Sequence, residues 1–458
     1  MIYLIPMKII YALHRFLPRF FSGTEIYTYQ LALEMRQRGH EVQIFCAEEI
    51  KKGPNAKITA QDDEYHGLKV HRINYNRKKT PNLIRFSYDN TFVGEYFKSF
   101  LSSARPDLVH ITSFLNLSAG IIDQIKQSSI PAIFTATDYW CFCPKSTSLA
   151  FDQSLCSTAD AKRCLYCLIS LTPLYEQTLK KIKISPRLLG RLFLQLGAIS
   201  GIKNNPFKKT TLALTERSHY ILEKLKDLDL IIAPTPHLHG FFVSAGLNQD
   251  KILLSGYGIN RDGLQTNSQN RSKQPLRFGY IGMLAELKGV DTLIRSFNRL
   301  SSSAQACLKI YGDDSHFHFY TKKLKHLAHH NPAISFAGTF PPEQLGEKLK
   351  EFEVLIVPSR WYENAPLVIS ESFAGGVPVI GSDVPGISAV VKDGVNGLLF
   401  PRGDEKCLTR CLERFLHEPD LLATLRKNLP PIKTIHENGD ELEEIYFRLI
   451  KNKAKTAR

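Results

Sequence analysis

The sequence predicts an α/β protein made of two doubly wound, Rossmann-like domains facing a cleft. Three observations carry that expectation. Short apolar runs such as Lys8 to Ala12, Ile130 to Thr135, Arg277 to Ile281 and Val354 to Val357 alternate with longer segments of helical periodicity. Glycines stand in the strand-to-helix turns, at Gly23, Gly282 and Gly289, where backbone must approach a ligand closely. A polar stretch from Asn260 to Gln274 divides a chain of 458 residues, too long for one ordinary domain. The expected divisions are a first domain over 1–258, a linker over 259–275, a second domain over 276–435, and a helix with a basic tail over 436–458 that packs back on the first domain.

In the first domain, Lys8 to Ala12 reads as a strand, Glu25 to Arg38 as a helix capped by Gly39, and Glu41 to Cys46 as the next strand. A strand over 68–75 and a helix from about Asn90 to Ala104 follow, then a strand from Asp107 to Ile111 with His110 near its carboxyl end. Leu115 to Gln127 reads as helical, and the strand Ile130 to Thr135 leads into Thr137, Asp138, Tyr139 and Trp140. Ligands of open α/β sheets bind beyond the carboxyl ends of strands, so His110 and Asp138 are candidate catalytic groups. Either residue would equally serve as a cap or loop support. Leu228 to Ala233, Leu238 to Ala245 and Ile252 to Ser255 close the domain as strand, helix and strand.

A helical insertion over about 171–217 has another character. From Leu174 onward it carries nine Lys/Arg (180, 181, 183, 187, 191, 203, 208, 209, 217) against Glu176 and Glu216, interleaved with Leu188, Leu189, Leu192, Phe193, Leu194, Leu196 and Ile199. That composition suits an anionic membrane surface, or a helical pair with solvated charges.

The second domain begins with the strand Arg277 to Ile281, the turn Gly282 to Gly289 and the helix Val290 to Leu300. Leu308 to Tyr311 and Ile334 to Ala337 read as strands. Helices are expected over His316 to His330 and Pro342 to Phe352. Val354 to Val357 precedes the most informative stretch, PSRWYENAPLVISESFAGGVPVIGSD, at Pro358 to Asp383. There a helix is expected from Ala365 to Ala374, with Pro366 in its first turn and Gly375-Gly376 ending it. Leu398 to Phe400, Cys407 to Leu416, Asp420 to Asn428 and the amphipathic Asp440 to Ile450 complete the chain.

Two carboxylates frame the central helix. Glu363 precedes it, and Glu371 lies eight residues on, roughly two turns along a similar face. Amides of Asn364, Ala365, Leu367 and Val368 point out of the helix N-terminus and suit an anion or sugar hydroxyls. An ionised carboxylate deeper along the helix suits a ribose diol, since it accepts two hydrogen bonds. Taken alone, the two acids would also fit an ordinary helix whose dipole favours negative charge at its start.

Composition is that of a globular chain, 43% hydrophobic and 22% charged, with a formal charge of +15. An acidic partner is implied. None of the short nucleic-acid signatures is present, so a membrane surface or a phosphorylated small molecule is expected rather than nucleic acid. No segment reaches 18 uninterrupted apolar residues, so no transmembrane helix is expected. The apolar N-terminus lacks a basic region and a cleavage site and reads as a strand, with Met7 as a candidate functional start. The expected compartment is the cytoplasm, with peripheral association at the inner membrane face. Nine cysteines include the cluster Cys141, Cys143, Cys156, Cys164 and Cys167. In that compartment the set Cys143, Cys156, Cys164 and Cys167 reads either as a structural zinc site or as free thiols.

The second domain resembles the donor half of a retaining glycosyltransferase of family 4 with the GT-B fold. The resemblance rests on Gly282, Lys288-Gly289-Val290-Asp291, Gly338, Pro358-Ser359, YENAPLVISESFAGGVPVIGSD, Gly386 and DGVNGLLF at Asp393 to Phe400. The first domain resembles the family through SGTE at Ser22 to Glu25, RGHEV at Arg38 to Val42, PDLVH at Pro106 to His110 and TDYW at Thr137 to Trp140. The cysteine set after TDYW is similar to that of some members.

This resemblance implies transfer of a sugar from a nucleotide-diphosphate donor to a glycan or lipid-linked acceptor, with retention, in cell-surface polysaccharide or lipopolysaccharide assembly. It implies that Glu371 holds the ribose, that Glu363 contacts the donor sugar, and that the amides of Asn364 to Val368 bind hydroxyls and phosphate. Lys288 would neutralise the leaving diphosphate, and Gly23 with Thr24 would cover the phosphates. No cofactor is required if Lys288 and the helix amides carry the charge. Three departures stand out. Met283 occupies the place of an expected Arg, for which Arg360 is a candidate substitute. Thr137 stands where a His is expected, and Gly312-Asp313-Asp314 replaces a Gly-rich turn. Met283 and Thr137 support an alternative, a non-catalytic relative that binds nucleotide or glycan. A sugar-nucleotide epimerase on a similar scaffold would explain a cleft but not WYENAPLVISES.

Overall fold

The structure, a computed structural model, describes residues 5–49, 58–199, 204–264, 275–301, 305–314 and 317–456. Most of the expected linker, Lys203 and the expected helix start at His316 lie outside the described residues. The chain divides into two compact units, residues 1–256 with 436–458, and residues 257–435. Each is an α/β unit on a parallel-dominated sheet.

In the first unit the strands are β1 (Lys8–Leu13), β2 (Glu41–Glu49), β3 (Thr59–Tyr65), β4 (Leu68–Tyr75), β5 (Leu108–Ile111), β6 (Ala132–Thr135), β7 (Leu230–Ala233) and β8 (Ile252–Leu254). They lie in the order β3-β4-β2-β1-β5-β6-β7-β8, parallel except for β3 against β4. β5 and β6 are buried at every position, the pattern of strands covered on both faces. β3 has no hydrophobic alternation, and periodicity does not reveal it. It forms because Asp63 pairs at 2.6 Å with Arg72 of β4, whose fully buried guanidinium also meets Glu48 at 2.8 Å. Its exposed, acidic character suits a sheet edge.

The last helix, Ile435–Thr456, lies from residue 436 onward in the first unit. Arg38 fixes it through Asp440 at 2.7 Å and Glu443 at 3.0 Å, and Tyr446 hydroxyl lies 3.1 Å from that of Tyr11. The helix expected over Leu115 to Gln127 is shorter, Ile121–Gln127. Asn116 and Ser118 adopt left-handed φ values of 62° and 70°, which a right-handed helix does not accept.

In the second unit the strands are β9 (Leu276–Ile281), β10 (Ala306–Tyr311), β11 (Ile334–Phe336), β12 (Val354–Val357), β13 (Val379–Ser382) and β14 (Gly397–Phe400). Their order is β11-β10-β9-β12-β13-β14, all parallel. Along β12 the side chains alternate between two cores: Val354 and Ile356 pack with Val290, Leu293 and Phe297, while Leu355 and Val357 pack with Ile369 and Phe373. Burial of each such chain stabilises the unit by roughly 1.5–3 kcal/mol. The expected helix Pro342 to Phe352 is a 3-10 turn, Pro342–Gln344, followed by a short helix, Leu345–Leu349. The strand order reverses between β9 and β12. A doubly wound sheet opens a crevice at such a point, beyond the strands' carboxyl ends.

Candidate functional site

Two turns meet at that reversal, one after β9 and one after β12. Gly289 has a φ of +68°, and a Cβ there would run into the carbonyl oxygen of Pro358. Only glycine lets the turns approach so closely. The Arg360 amide then donates to the Leu287 carbonyl at 2.8 Å and joins them.

The approach brings Lys288 and Glu363 together. Lys288 Nζ lies 2.6 Å from Glu363 Oε1, and Ser359 Oγ donates to the same oxygen at 2.5 Å. The ammonium also stands 5.1 Å from the Trp361 ring centroid. Glu363 is buried and takes a φ of +48°, which costs a non-glycine residue about 1–2 kcal/mol. Gly386 supports that conformation. Its amide donates to the Tyr362 carbonyl at 3.0 Å, and a Cβ on it would strike the Glu363 carbonyl.

The central helix is Leu367–Ala374. Pro366 occupies its cap with an extended ψ of 111°, so the helix begins two residues later than the sequence suggests. Its first amides, Leu367 and Val368, fall outside the helical ladder and are oriented as donors. Asn364 and Ala365 precede them, and Asn364 is held by a 3.0 Å bond from its Nδ2 to Tyr257 hydroxyl.

Glu371 projects from this helix and is 9% exposed. Burial pushes its carboxyl up to about 7. Among the described residues it has no hydrogen-bond or ion-pair partner. A buried carboxyl without a partner is costly to fold around.

Arg360 is not a free phosphate cation. Its guanidinium meets Asp291 at 2.9 Å and Thr292 at 2.9 Å. Asp291 also accepts from Tyr320 at 2.7 Å, with Lys323 at 3.3 Å. Burial acts to raise the Asp291 carboxyl, but Tyr320 and the two cations hold it below its usual range. The arginine is thus bound into a structural ion pair that sequence spacing does not disclose. Gly282 has a φ of +157° and opens the turn after β9, and Met283 beside it is 42% exposed, an apolar side chain in place of a cation.

In the first unit the order reverses at β1, between β2 and β5. Gly23 begins the helix Gly23–Gln37, with open space where a Cβ would lie. Thr24 Oγ1 donates to Thr137 Oγ1 at 2.8 Å, and Thr137 donates to the Thr112 carbonyl at 2.7 Å. Asp138 accepts from the Trp140 amide at 2.7 Å. Its carboxyl is pushed up to about 6, chiefly by burial and slightly by Glu25, against the Trp140 amide and Arg217.

His110 is not placed for catalysis. It is fully buried, with Nδ1 2.5 Å from Tyr446 hydroxyl and Nε2 2.7 Å from Thr135 Oγ1. Both nitrogens serve the core, and burial lowers the imidazole to about 3. Sequence reasoning misses a different pair. Glu25 is 1% exposed, accepts from Ser22 Oγ, and lies 3.4 Å from His14 Nε2. His14 Nδ1 is buried without a partner among the described residues. The signal for this pair was the acid of SGTE, three residues after its serine.

Cys143, Cys156, Cys164 and Cys167 line one small cavity, and the Lys145 amide donates to Cys143 Sγ at 3.4 Å. All four are free thiols. Among the described residues no group of three or more His, Cys, Asp or Glu is arranged to hold a metal ion. No helix of the described residues is long and apolar enough to cross a membrane.

Comparison with known proteins gives a consistent picture. The family described as glycosyl transferases group 1 matches residues 264–430, and that described as glycosyltransferase family 4 matches residues 21–148. An alpha-D-kanosaminyltransferase of Streptomyces kanamyceticus is 25% identical over 171 residues, 36% of this chain and 44% of the relative. The amylovoran biosynthesis glycosyltransferase AmsK of Erwinia amylovora is 25% identical over 253 residues, 51% of this chain and 61% of the relative. The chain thus spans about half the length of these curated relatives. The crystal structure of Anabaena HepE in complex with UDP and glucose superimposes with a TM-score of 0.62 at 14% identity, covering 96% of this chain and 99% of the other.

Proposed function

Because its two halves match glycosyltransferase families and its fold is that of GT-B glycosyltransferases, we propose that this protein transfers a sugar from a nucleotide-diphosphate donor to a hydroxyl of a glycan or lipid-linked acceptor. Transfer proceeds with retention of anomeric configuration, in the assembly of a cell-surface polysaccharide or lipopolysaccharide. The observation that carries the reading is Glu371, a buried carboxyl without a partner among the described residues, on the helix that follows β12 and the turn holding the Lys288–Glu363 pair.

The chemistry follows from charge. Breaking the bond between the anomeric carbon and the phosphate oxygen leaves negative charge on the diphosphate and positive charge on the sugar ring. Lys288 and the amides of Leu367 and Val368 oppose the first, and Glu363 favours the second. Glu371 accepts from the ribose hydroxyls and fixes the nucleotide. The acceptor hydroxyl attacks the face that the phosphate leaves, and the departing phosphate oxygen takes its proton. In the first unit Asp138, whose carboxyl titrates at about 6, is the acid–base candidate, and Gly23 with Thr24 forms an anion-binding helix start. UDP is the first nucleotide to test, given the ligand of HepE.

Saturation-transfer NMR with UDP, GDP and ADP, followed by transfer assays with the matching sugars, tests the proposal. Absence of binding to every nucleotide at millimolar concentration would overturn it. A second reading, a non-catalytic binder of nucleotide or glycan, is favoured by Met283 and Thr137. Slow donor hydrolysis by the wild type that disappears in Glu363→Ala rules against that reading.

A further inference from the structure

The helix Pro186–Ala198 leaves an apolar stripe exposed. Leu188, Leu192 and Ile199, at its C-cap, are 62%, 53% and 49% exposed. On an α-helix those positions fall within an arc of about 40°. The opposite side carries glycines. Gly190 is buried where a Cβ would run into the Tyr166 ring, and Gly197 is buried where a Cβ would stand 3.3 Å from the Lys208 amide. Gly190 and Gly197 seat the helix against its neighbours, Ala161–Ser170 and Pro206–Leu225; Leu189, Phe193, Leu194 and Leu196 are half-buried, and Leu188, Leu192 and Ile199 are left exposed.

The same insertion exposes Leu174 at 64%, Ile182 at 63% and Leu212 at 55%. Of the seventeen exposed large hydrophobic side chains in the described residues, seven lie between 171 and 212. Clustering of that kind marks an interaction surface, not scattered exposure. Cations border it. Lys181, Lys183, Arg191, Lys208 and Lys209 are exposed and have no ion-pair partner among the described residues. Arg187 pairs with Asp152 at 2.8 Å and Lys180 with Glu176 at 3.3 Å. Arg217, from the same basic stretch, is not part of this face. It is buried, donating to the Trp140 carbonyl beneath the insertion.

We infer that this face docks on an anionic lipid bilayer, with the Leu188–Leu192–Ile199 stripe entering the headgroup region and the free Lys and Arg side chains meeting lipid phosphates. The argument is complementarity of both kinds at once: an apolar stripe for the acyl boundary and an uncompensated cationic border for the anionic surface. A second copy of the chain would bring a like-charged border against this one. The inference stands apart from the glycosyl-transfer proposal, since it uses none of the donor-site residues.

The test is co-sedimentation of the full chain with phosphatidylcholine vesicles made with and without phosphatidylglycerol. Binding is expected only with the anionic lipid, reversed by high salt. Leu188→Ser with Leu192→Ser, and separately Lys181→Gln with Lys183→Gln and Arg191→Gln, should each weaken it at least tenfold while circular dichroism and nucleotide binding stay unchanged. The inference fails if the wild type ignores anionic vesicles. It also fails if both variants bind as the wild type does, or if the leucine variant merely dissociates a dimer in size-exclusion chromatography without any vesicle binding.

Discussion

Lys288 and Glu363 form an ion pair of 2.6 Å between the turns that follow two adjacent parallel strands. The pair is asymmetric, since the Glu363 side chain is 4% exposed and the Lys288 side chain 24%. The lysine thus keeps a face toward solvent while its partner fixes its direction. If Lys288 neutralises a leaving diphosphate, its charge matters most as the glycosyl–phosphate bond breaks. Lys288→Met is expected to lower kcat/KM for transfer by about 10²–10³-fold, the scale for losing one preorganised electrostatic group. The affinity for a nucleoside monophosphate, measured by calorimetry, should change far less. An equal loss in both would assign Lys288 to ground-state binding.

If Glu371 holds the nucleotide, it couples nucleotide binding to stability. Its carboxyl lies at about 7 in the folded state, raised by burial from an ordinary value near 4.5. Between those values the unfolded chain has already released this proton and the folded chain has not. Stability is therefore full at low pH and falls as pH rises toward the folded value, by up to roughly 3 kcal/mol. Glu371→Gln removes that cost. Its melting temperature should exceed that of the wild type at pH 8 and converge with it at pH 5, while its nucleotide affinity falls. A variant that loses stability at pH 8 would mean that the protein itself supplies the carboxylate's partner.

His110 should behave as a core residue. The unfolded chain binds a proton near 6.5, and the folded imidazole only near 3. Its contribution to stability is present above pH 6.5 and is lost as pH falls toward the folded value. His110→Phe, which leaves Tyr446 and Thr135 without their buried partner, should destabilise the protein by about 1–3 kcal/mol in denaturant unfolding. kcat of the residual folded enzyme should stay near that of the wild type. A large selective loss of kcat would restore a catalytic role.

The contrast between these residues marks what the sequence discloses. Short apolar runs and turn glycines locate the strands of both sheets because burial on two faces leaves a strong local pattern. Lys288, Glu363 and Glu371 stand out as candidates because the segments that carry them hold a specific run of residues. Partnerships across distance leave no such mark. The 291–360 ion pair depends on which two turns adjoin, so the same arginine reads equally well as a phosphate ligand until the fold is seen. Tyr257 supports Asn364 in the same way, from a position with no local pattern of its own. His110 is misleading for the opposite reason. It ends a strand in sequence, but neighbouring β1 and β6 and the last helix enclose it. Thr59–Tyr65 escapes notice because an edge strand held by Asp63 needs no apolar alternation.

Gly289→Ala tests whether the meeting of the two turns is itself the construction on which the site depends. Alanine at a φ of +68° is strained, and its methyl would overlap the Pro358 carbonyl, which is backbone and cannot rotate away. The turns must separate, at a cost of about 1–3 kcal/mol. Separation pulls Lys288 from Glu363 and breaks the bond from the Arg360 amide to the Leu287 carbonyl. Nucleotide binding through Glu371, on the helix Leu367–Ala374, should survive in part, whereas transfer should fall as far as in Lys288→Met. Combining the two substitutions should then add little further loss in kcat/KM, because both act on one contact. Full additivity in that double-mutant cycle would show that Gly289 supports the site by a route other than the placement of Lys288.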